Sequence, residues 1–509
     1  MTATTITDAV LRHVGCRPDR HAVLVDGRGR RYDDLGRHIA VTARALGASG
    51  LARRRPSRAA LLMDPGPAFL EAFLGVGAAG MAAMVLQHAW TDRDLRHALV
   101  AGGPDVALVD RAGAHRLGVD PGWHRVADGR VAGPIPLPAA AGDPPDDLPP
   151  VDSEAPFYVG FTSGSTGRPK GFLRSHRSWV RSFAASAAVF GITGDDHVLA
   201  PGPLDHSLFL YAAVHGLSVG ATVYLHRRFS PPDVLATLDR DPVTRVYLVP
   251  TMLAALLRAA DRAGGPRFPT VRSVICSGAR WPVAVQDRVA DLFPDAEPVD
   301  FYGASELSFV SVRRPAAGDP PTSVGRAFPG VEIQVRRDDG TVADVDEAGR
   351  LWVRSDMVFT GYLEPAAGGA TRDRAGWITV GDIARQDADG YLYLLGREGS
   401  MLVCGGVNLF PEEIEEVLLE IPEVAEAAVV GIPDDYWGDL LCAVVRWRDG
   451  RAVPRARLRA HCGARLAHGK RPQRWLQVTA LPRTSSGKVA RATLARHLRD
   501  GTLGARELR

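Results

Sequence analysis

The feature that most constrains this chain's fold is the alternation, along residues 20–110, of short apolar runs with amphipathic stretches. AVLVDG, RAALLM and VALVD read as strands, and YDDLGRHIAVTARAL and DRDLRHALVAG read as helices. Strand–helix–strand repetition of this kind predicts a parallel α/β sheet covered by helices. The pattern resumes beyond residue 155, where HVLAPGPL, GATVYLH, VTRVYLVP, VRSVICSG and AEPVDFYG read as further strands. Between the two stretches, VAGPIPLPAAAGDPPDDLPPVD over residues 131–152 predicts a linker or surface loop. After Pro320 the text changes to hairpins with DDG and ADG turns, VEIQVRRDDGTVADVDEAGRLWVRS and GYLYLLGR, predicting a small β subdomain. At Pro411, PEEIEEVLLE places proline at a first helical position with glutamates in the first turn, which predicts a helix in a separate C-terminal region.

The 509 residues are too many for one small core and predict at least two domains. With 61 basic and 58 acidic residues, the formal charge of +3 argues against a polybasic nucleic-acid binder and against an acidic disordered chain. The longest apolar run, over residues 72–86, falls short of the ~20 residues that cross a bilayer, so it reads as a buried helix and no membrane span is expected. The opening MTATTITDAVL lacks a basic stretch followed by an apolar core, giving a cytoplasmic expectation. Cysteines at 16, 276, 404, 442 and 462 form no C-x-x-C pair, so neither a zinc site nor a disulfide framework is expected. Residues 412–439 carry ten acids and no bases, whereas residues 446–509 carry 17 bases and three acids. Both runs read first as solvated faces, and the basic one reads second as a surface for a phosphorylated substrate.

Only three of the 61 basic residues are lysines: Lys170, Lys470 and Lys488. An arginine-biased composition explains the excess of arginine but not which lysines remain. Lysine places a compact charge on a flexible stem, which a forked guanidinium cannot replace beside a reacting oxygen. Lys170 closes the string FTSGSTGRPKG, and Lys488 lies in PRTSSGKVAR. In the first string, Gly164 and Gly167 permit close backbone approach. Backbone N–H groups and the hydroxyls of Thr162, Ser163, Ser165 and Thr166 can then surround phosphate oxygens, with Lys170 adding charge. The spacing is not that of a Walker A loop.

This string resembles the signature phosphate loop of the adenylate-forming superfamily, which includes acyl-CoA synthetases, peptide-synthetase adenylation domains and luciferase-type enzymes. Further motifs follow in the family's order over nearly the whole chain. FYGASE over residues 301–306 is similar to its [FY]-G-x-[ST]-E segment. The resemblance puts Tyr302 and Gly303 against adenine, Ser305 near the α-phosphate and Glu306 on Mg²⁺, a hard cation that carboxylates hold well. Ser277, Gly278, Ala279 and Arg280 resemble the loop over the other adenine face. GWITVGD resembles G-W-x-x-T-G-D, with Val380 in place of threonine, and implies that Asp382 holds the ribose hydroxyls. Gly396-Arg397 resembles the family hinge, implying that Arg397 contacts ribose or phosphate. Gly399 stands where Asp or Lys is usual there. Gly405 and Gly406 match the pair lining a thiol tunnel, preceded by Val403 rather than lysine. Lys488 matches the catalytic lysine that bridges the substrate carboxylate and the α-phosphate.

For the acid pocket the resemblance points to residues 203–209, 279–281 and 307–309. His206 matches the pocket histidine of aryl- and acyl-CoA synthetases. Shifted by one residue, Asp205 matches the aspartate of amino-acid adenylation domains, and both readings stay open. Phe209, Trp281, Leu307 and Phe309 imply an apolar, partly aromatic lining suited to an aryl or medium-chain acid. The fold implied is a large N-terminal domain, residues 1–396, of two α/β subdomains and a small β-barrel-like subdomain, followed by a small mobile α+β domain, residues 397–509. The function implied is ATP-dependent ligation of a carboxylic acid to coenzyme A, with pyrophosphate and AMP released and Mg²⁺ required. A carrier-protein thiol is the second choice of acceptor. An amine or nitrite acceptor, a luciferase-like oxygenase and a non-catalytic nucleotide-binding scaffold are the alternatives.

Overall fold

The computed structural model describes residues 4–51, 57–127, 130–134, 148–163, 169–278, 283–364, 370–398, 402–404, 407–434, 438–483 and 489–508. The chain divides into two compact units. The first comprises Met1–Ile333, Val353–Ala367 and Asp373–Ile378, and the second Gln334–Trp352, Gly368–Arg372 and Thr379–Arg509.

Among the described residues, two large sheets lie in the first unit. The larger has the order Arg326–Ala327, Ser308–Arg313, Glu297–Ala304, Ser273–Ser277, Arg245–Leu248, His197–Ala200, Thr222–Leu225, His21–Val25, Arg28–Arg31. Its middle is parallel, with Val23 opposite Val223 and Val246 opposite Val274. Strands 222–225, 245–248 and 273–277 are buried along their whole length, as a parallel strand with both faces covered must be. The second sheet has the order Gly361–Tyr362, Pro169–Ser175, Pro156–Ser163, Ala82–Val85, Arg58–Leu62, Val106–Val109, Gly122–Ala127, Arg130–Pro134. Helix Pro67–Ala78 packs on it through Phe73, whose ring meets Phe157 edge-on at 5.9 Å between centroids.

Each strand read in the opening stretch is present, at His21–Val25, Arg58–Leu62 and Val106–Val109, and the helix DRDLRHALVAG spans Asp92–Gly102. Two expectations are corrected. The apolar run 72–86 is not one buried helix: helix Pro67–Ala78 stops, Gly80 turns the chain at φ +73, and Ala82–Val85 enters the sheet as a strand. The segment read as a loop from residue 131 begins as the edge strand Arg130–Pro134, with Val131 opposite Val126. An edge position tolerates its proline. Residues 135–147 lie outside the described residues.

In the second unit, Asp382–Gln386 and Leu392–Arg397 form the hairpin expected at the ADG turn. The strands on either side of the DDG turn, Glu332–Arg336 and Gly349–Arg354, also pair as expected, with a further bridge between Arg336 and Val342 nearer the turn. The C-terminal sheet runs Val407–Leu409, Leu402–Cys404, Gly438–Trp447, Arg474–Gln477, Arg506–Glu507, with Val424–Asp434 also paired to Gly438–Trp447. Strand alternation gives this sheet two apolar faces. Leu441, Ala443 and Val445 pack with Ile414, Leu418, Leu458 and Cys462 from helices Pro411–Leu419 and Arg455–Arg465. Cys442 and Val444 pack with Leu494 of helix Arg491–Arg499. The fold is α/β, a large N-terminal part of two α/β sheets with small β elements, followed by a small α+β domain. Among the described residues, no helix is long and apolar enough to cross a membrane.

Candidate active site

The hydroxylic string folds as an antiparallel hairpin. Pro156–Ser163 pairs with Pro169–Ser175, placing Thr162 opposite Lys170 and Ser163 opposite Pro169. The tip, with Gly164, Ser165, Thr166 and Gly167, lies outside the described residues. Its base is braced by Phe161, which meets Trp90 edge-on at 5.1 Å. The Lys170 ammonium lies over the Tyr362 ring, 4.4 Å from its centroid. The Tyr362 hydroxyl in turn donates to Glu306 Oε1 at 2.9 Å. Two motifs far apart in sequence are thereby joined through one tyrosine.

Glu306 sits in a short turn between antiparallel strands, with Gly303 opposite Phe309 and Ala304 opposite Ser308. Gly303 is required by this pairing, because a Cβ there would collide with the Ser308 carbonyl oxygen. Ser308 holds φ +65, a conformation that residues other than glycine rarely adopt. The turn is pinned from behind. The Phe359 N–H donates to the Glu306 carbonyl at 2.8 Å. The guanidinium of Arg174, only 1% exposed, donates to the carbonyls of Ser305 at 3.1 Å and Met357 at 2.6 Å, and to the hydroxyls of Ser308 at 3.3 Å and Ser178 at 3.2 Å. Burial pulls its pKa down to about 10, against a smaller opposing pull from Tyr158, Tyr211 and Glu306, so it stays charged at neutral pH. Such held strain occurs where surrounding bonds over-determine a loop.

Glu306 fits a hard divalent cation, since it is a buried carboxylate at a strand end whose Oε1 accepts one hydrogen bond among the described residues. Tyr302, opposite Ser311, and Ser305 lie on the same hairpin. Ser277 ends the strand Ser273–Ser277, and Gly278 follows at φ +98. Ala279, Arg280 and Trp281 lie outside the described residues.

Removing only the Tyr362 hydroxyl should therefore loosen the carboxylate while leaving the ring against Lys170. Tyr362→Phe is expected to raise the Mg²⁺ requirement of the adenylation step about tenfold, the loss of one bond to a charged group. The acid KM should move little. An unchanged Mg²⁺ dependence would show that Tyr362 does not position Glu306.

Around the expected acid pocket, Phe209, Leu307 and Phe309 are 2, 1 and 3% exposed. Phe309 stacks on Phe328 at 4.6 Å and meets Phe301 at 4.8 Å and Tyr211 at 5.1 Å. His206 caps helix Ser207–Val219 by backbone geometry, its ring 6.0 Å from that of Phe209. Burial pushes the Asp205 carboxyl from its ordinary 3.8 up to about 6. Unfolded and folded chains both keep this proton below about pH 4. As pH rises from there to 6, only the folded chain retains it and stability falls. Above 6 the full penalty, on the order of 3 kcal/mol, remains. Asp205→Asn should thus raise the unfolding temperature at pH 7.5 and leave it unchanged at pH 4. Equal melting of the two proteins at pH 7.5 would contradict the burial of this charge.

In the second unit, Asp382 and Arg397 face each other across their hairpin, and Arg397 Nε donates to Asp382 Oδ1 at 2.5 Å. The carboxylate is 5% exposed and the guanidinium 59%. Lys488, Gly399, Gly405 and Gly406 lie outside the described residues. The described residues on either side of positions 484–488 are held in place. Arg483 bridges Val489, while Arg491 reaches Glu415 at 2.5 Å and Glu412 at 3.1 Å. Lys470, the third lysine, is paired with both Glu413 carboxylate oxygens at 2.8 and 2.7 Å. Arg174 and Tyr362 escaped the sequence reading. The available signals were an arginine inside the apolar strand GFLRS and a tyrosine after the apolar MVFTG.

Residues 10–363 match the AMP-binding enzyme family, and residues 413–488 match the AMP-binding enzyme C-terminal domain. The chain is 40% identical over 497 residues to an uncharacterized acyl–CoA ligase, YhfT, of Bacillus subtilis, covering 97% of this chain and 99% of the relative. It is 31% identical to the feruloyl-CoA synthase of an Amycolatopsis species, over 96% of this chain and 97% of that one. The o-succinylbenzoate CoA synthetase of Bacillus subtilis, solved with its acyl-adenylate intermediate, superposes with a TM-score of 0.80 at 27% identity, over 96% of this chain and 97% of that one. With the family matched over most of its length, the chain belongs to the AMP-binding enzymes, the adenylate-forming ligases.

Proposed function

We propose that this protein is an acid–thiol ligase that adenylates an apolar carboxylic acid with Mg·ATP, releases pyrophosphate, and transfers the acyl group to coenzyme A. The observation that carries the reading is the convergence of Lys170 and Glu306 on Tyr362. A phosphate-facing ammonium and a cation-holding carboxylate are what displacement at a triphosphate requires. The residues divide the work. The hairpin hydroxyls of Thr162, Ser163, Ser165 and Thr166 and the backbone around Gly164 and Gly167 cradle phosphates, with Lys170. Ser277, Gly278, Ala279, Arg280, Tyr302 and Gly303 enclose the adenine, and Ser305 faces the α-phosphate. Asp382 and Arg397 hold the ribose. Glu306 holds Mg²⁺, which when bound neutralises the triphosphate charge. Lys488 supplies a positive charge to the developing pentacovalent phosphorus. The Gly405-Gly406 pair admits the thiol, and we set the domain boundary at 396/397.

An aryl acid is favoured by Phe209 and Phe309 and by the feruloyl-CoA synthase relative, with His206 or Asp205 meeting its polar end. The reaction draws on intracellular ATP and coenzyme A, so we assign the protein to the cytoplasm. The test is mass spectrometry of products from a mixed pool of acids with ATP and CoA, with parallel reactions supplying amines or nitrite. The reading expects one or a few acyl-CoA species. Amide or diazo products without acyl-CoA, or no consumption of ATP, would contradict it.

A further inference from the structure

We propose that Asp64, His88 and Asp110 form a binding site for a divalent transition cation of the zinc class, separate from Glu306. One nitrogen and two carboxylate groups offer ligand atoms that all lie within 4.8 Å of one another. Imidazole with carboxylates is a donor set for borderline cations such as Zn²⁺, rather than the all-oxygen set that Mg²⁺ prefers. A cation about 2.1 Å from each ligand would draw the atoms to within roughly 4 Å of each other. Side-chain rotation can supply that shift, since the side chains of Asp64 and His88 are 44% and 30% exposed.

The topology places these residues where a ligand is expected. Strands Arg58–Leu62, Ala82–Val85 and Val106–Val109 are adjacent and parallel, and each delivers one residue just beyond its carboxyl end. The chain leaves 58–62 toward 82–85 but leaves 106–109 toward 122–127, on the opposite side. Divergent connections open a crevice between neighbouring parallel strands, the usual ligand position in such sheets. Asp64 and Asp110 follow the two strands between which the connections diverge.

The local bonding leaves room for a cation. The Asp64 N–H donates to Asp110 Oδ2 at 2.6 Å, and the Gly113 N–H donates to Asp110 Oδ1 at 2.9 Å. Each carboxylate oxygen keeps a second lone pair. His88 Nε2 is buried, has no hydrogen-bond partner among the described residues, and lies 3.7 Å from Asp64 Oδ1. That separation is too long for a hydrogen bond. A buried ring nitrogen facing two carboxylates without a bond of its own is the atom a metal would satisfy.

Occupancy would stiffen the loop that carries His88. Arg116 already holds the carbonyls of His88 and Trp90. In the same loop, Gln87 Nε2 reaches the Asp205 carbonyl at 3.5 Å, and Trp90 braces Phe161 at the base of the phosphate hairpin. The cation therefore acts as a clamp on strand ends that border both the acid pocket and the hairpin.

The test is calorimetric titration of the full-length, chelator-treated chain with zinc chloride, in excess magnesium and without nucleotide. The wild type is expected to bind one zinc at this site, and Asp64→Asn and His88→Gln each to weaken that binding tenfold or more, the scale of losing a ligand contact. Asp64→Asn keeps the backbone bond to Asp110, and its side chain is half exposed, so its metal-free melting should equal that of the wild type. Absence of zinc binding by the wild type, or unchanged binding by either variant, would overturn the site.

Discussion

Lys488→Ala should form acyl-adenylate about a thousandfold more slowly than the wild type, with thermal unfolding almost unchanged. As the carboxylate attacks the α-phosphate, negative charge gathers on oxygens that no longer carry it singly. A point charge placed there stabilises the transition state more than the ground state, an effect worth about 3–4 kcal/mol for one well-aimed donor. Folding should be spared because Arg483 and Arg491, on either side of positions 484–488, hold the flanking chain. Lys488→Arg should rescue little, since a planar fork cannot enter the space of an ammonium. Single-turnover adenylation with quenched-flow detection reads the rate directly. A wild-type rate in the alanine variant would remove Lys488 from the mechanism.

The second large effect is expected at Arg174. Arg174→Ala should destabilise the N-terminal part by about 3–5 kcal/mol, because it leaves buried carbonyls at Ser305 and Met357 without donors and opens a cavity. Arg174→Lys should lose nearly as much. A lysine carries the charge but cannot span two carbonyls and two hydroxyls at once. Released from this anchor, the turn at 305–308 should relax from the strained φ of Ser308 and carry Glu306 with it. Weaker Mg·ATP binding should accompany the lower denaturant midpoint. Full stability in Arg174→Ala would mean that water replaces the guanidinium without loss.

The alternation of strands and helices was legible because periods of 2 and 3.6 leave different marks on a sequence. It failed at residues 72–86, where a helix and a strand are both wholly buried and so both read as continuous apolar text. Only Gly80 marks the junction. It failed again at residues 131–134, where proline signalled a loop although an edge strand accepts it. Short contiguous strings such as FTSGSTGRPKG and FYGASE stand out in the sequence because their pattern is local. The bond from Tyr362 to Glu306 joins residues 56 apart, and the bonds of Arg174 reach residues up to 183 apart. No local pattern encodes such contacts. They arise only once the sheet sets strand 361–362 beside strand 169–175.

Activation of a carboxylate by this chain, through an acyl-adenylate with release of pyrophosphate, can be read on its own half-reaction. Acid-dependent exchange of labelled pyrophosphate into ATP, measured without coenzyme A, tests it most directly. The exchange is expected to require both Mg²⁺ and an apolar acid and to disappear in Lys488→Ala. Exchange independent of any acid, or none across a broad panel of aryl and acyl acids, would contradict it.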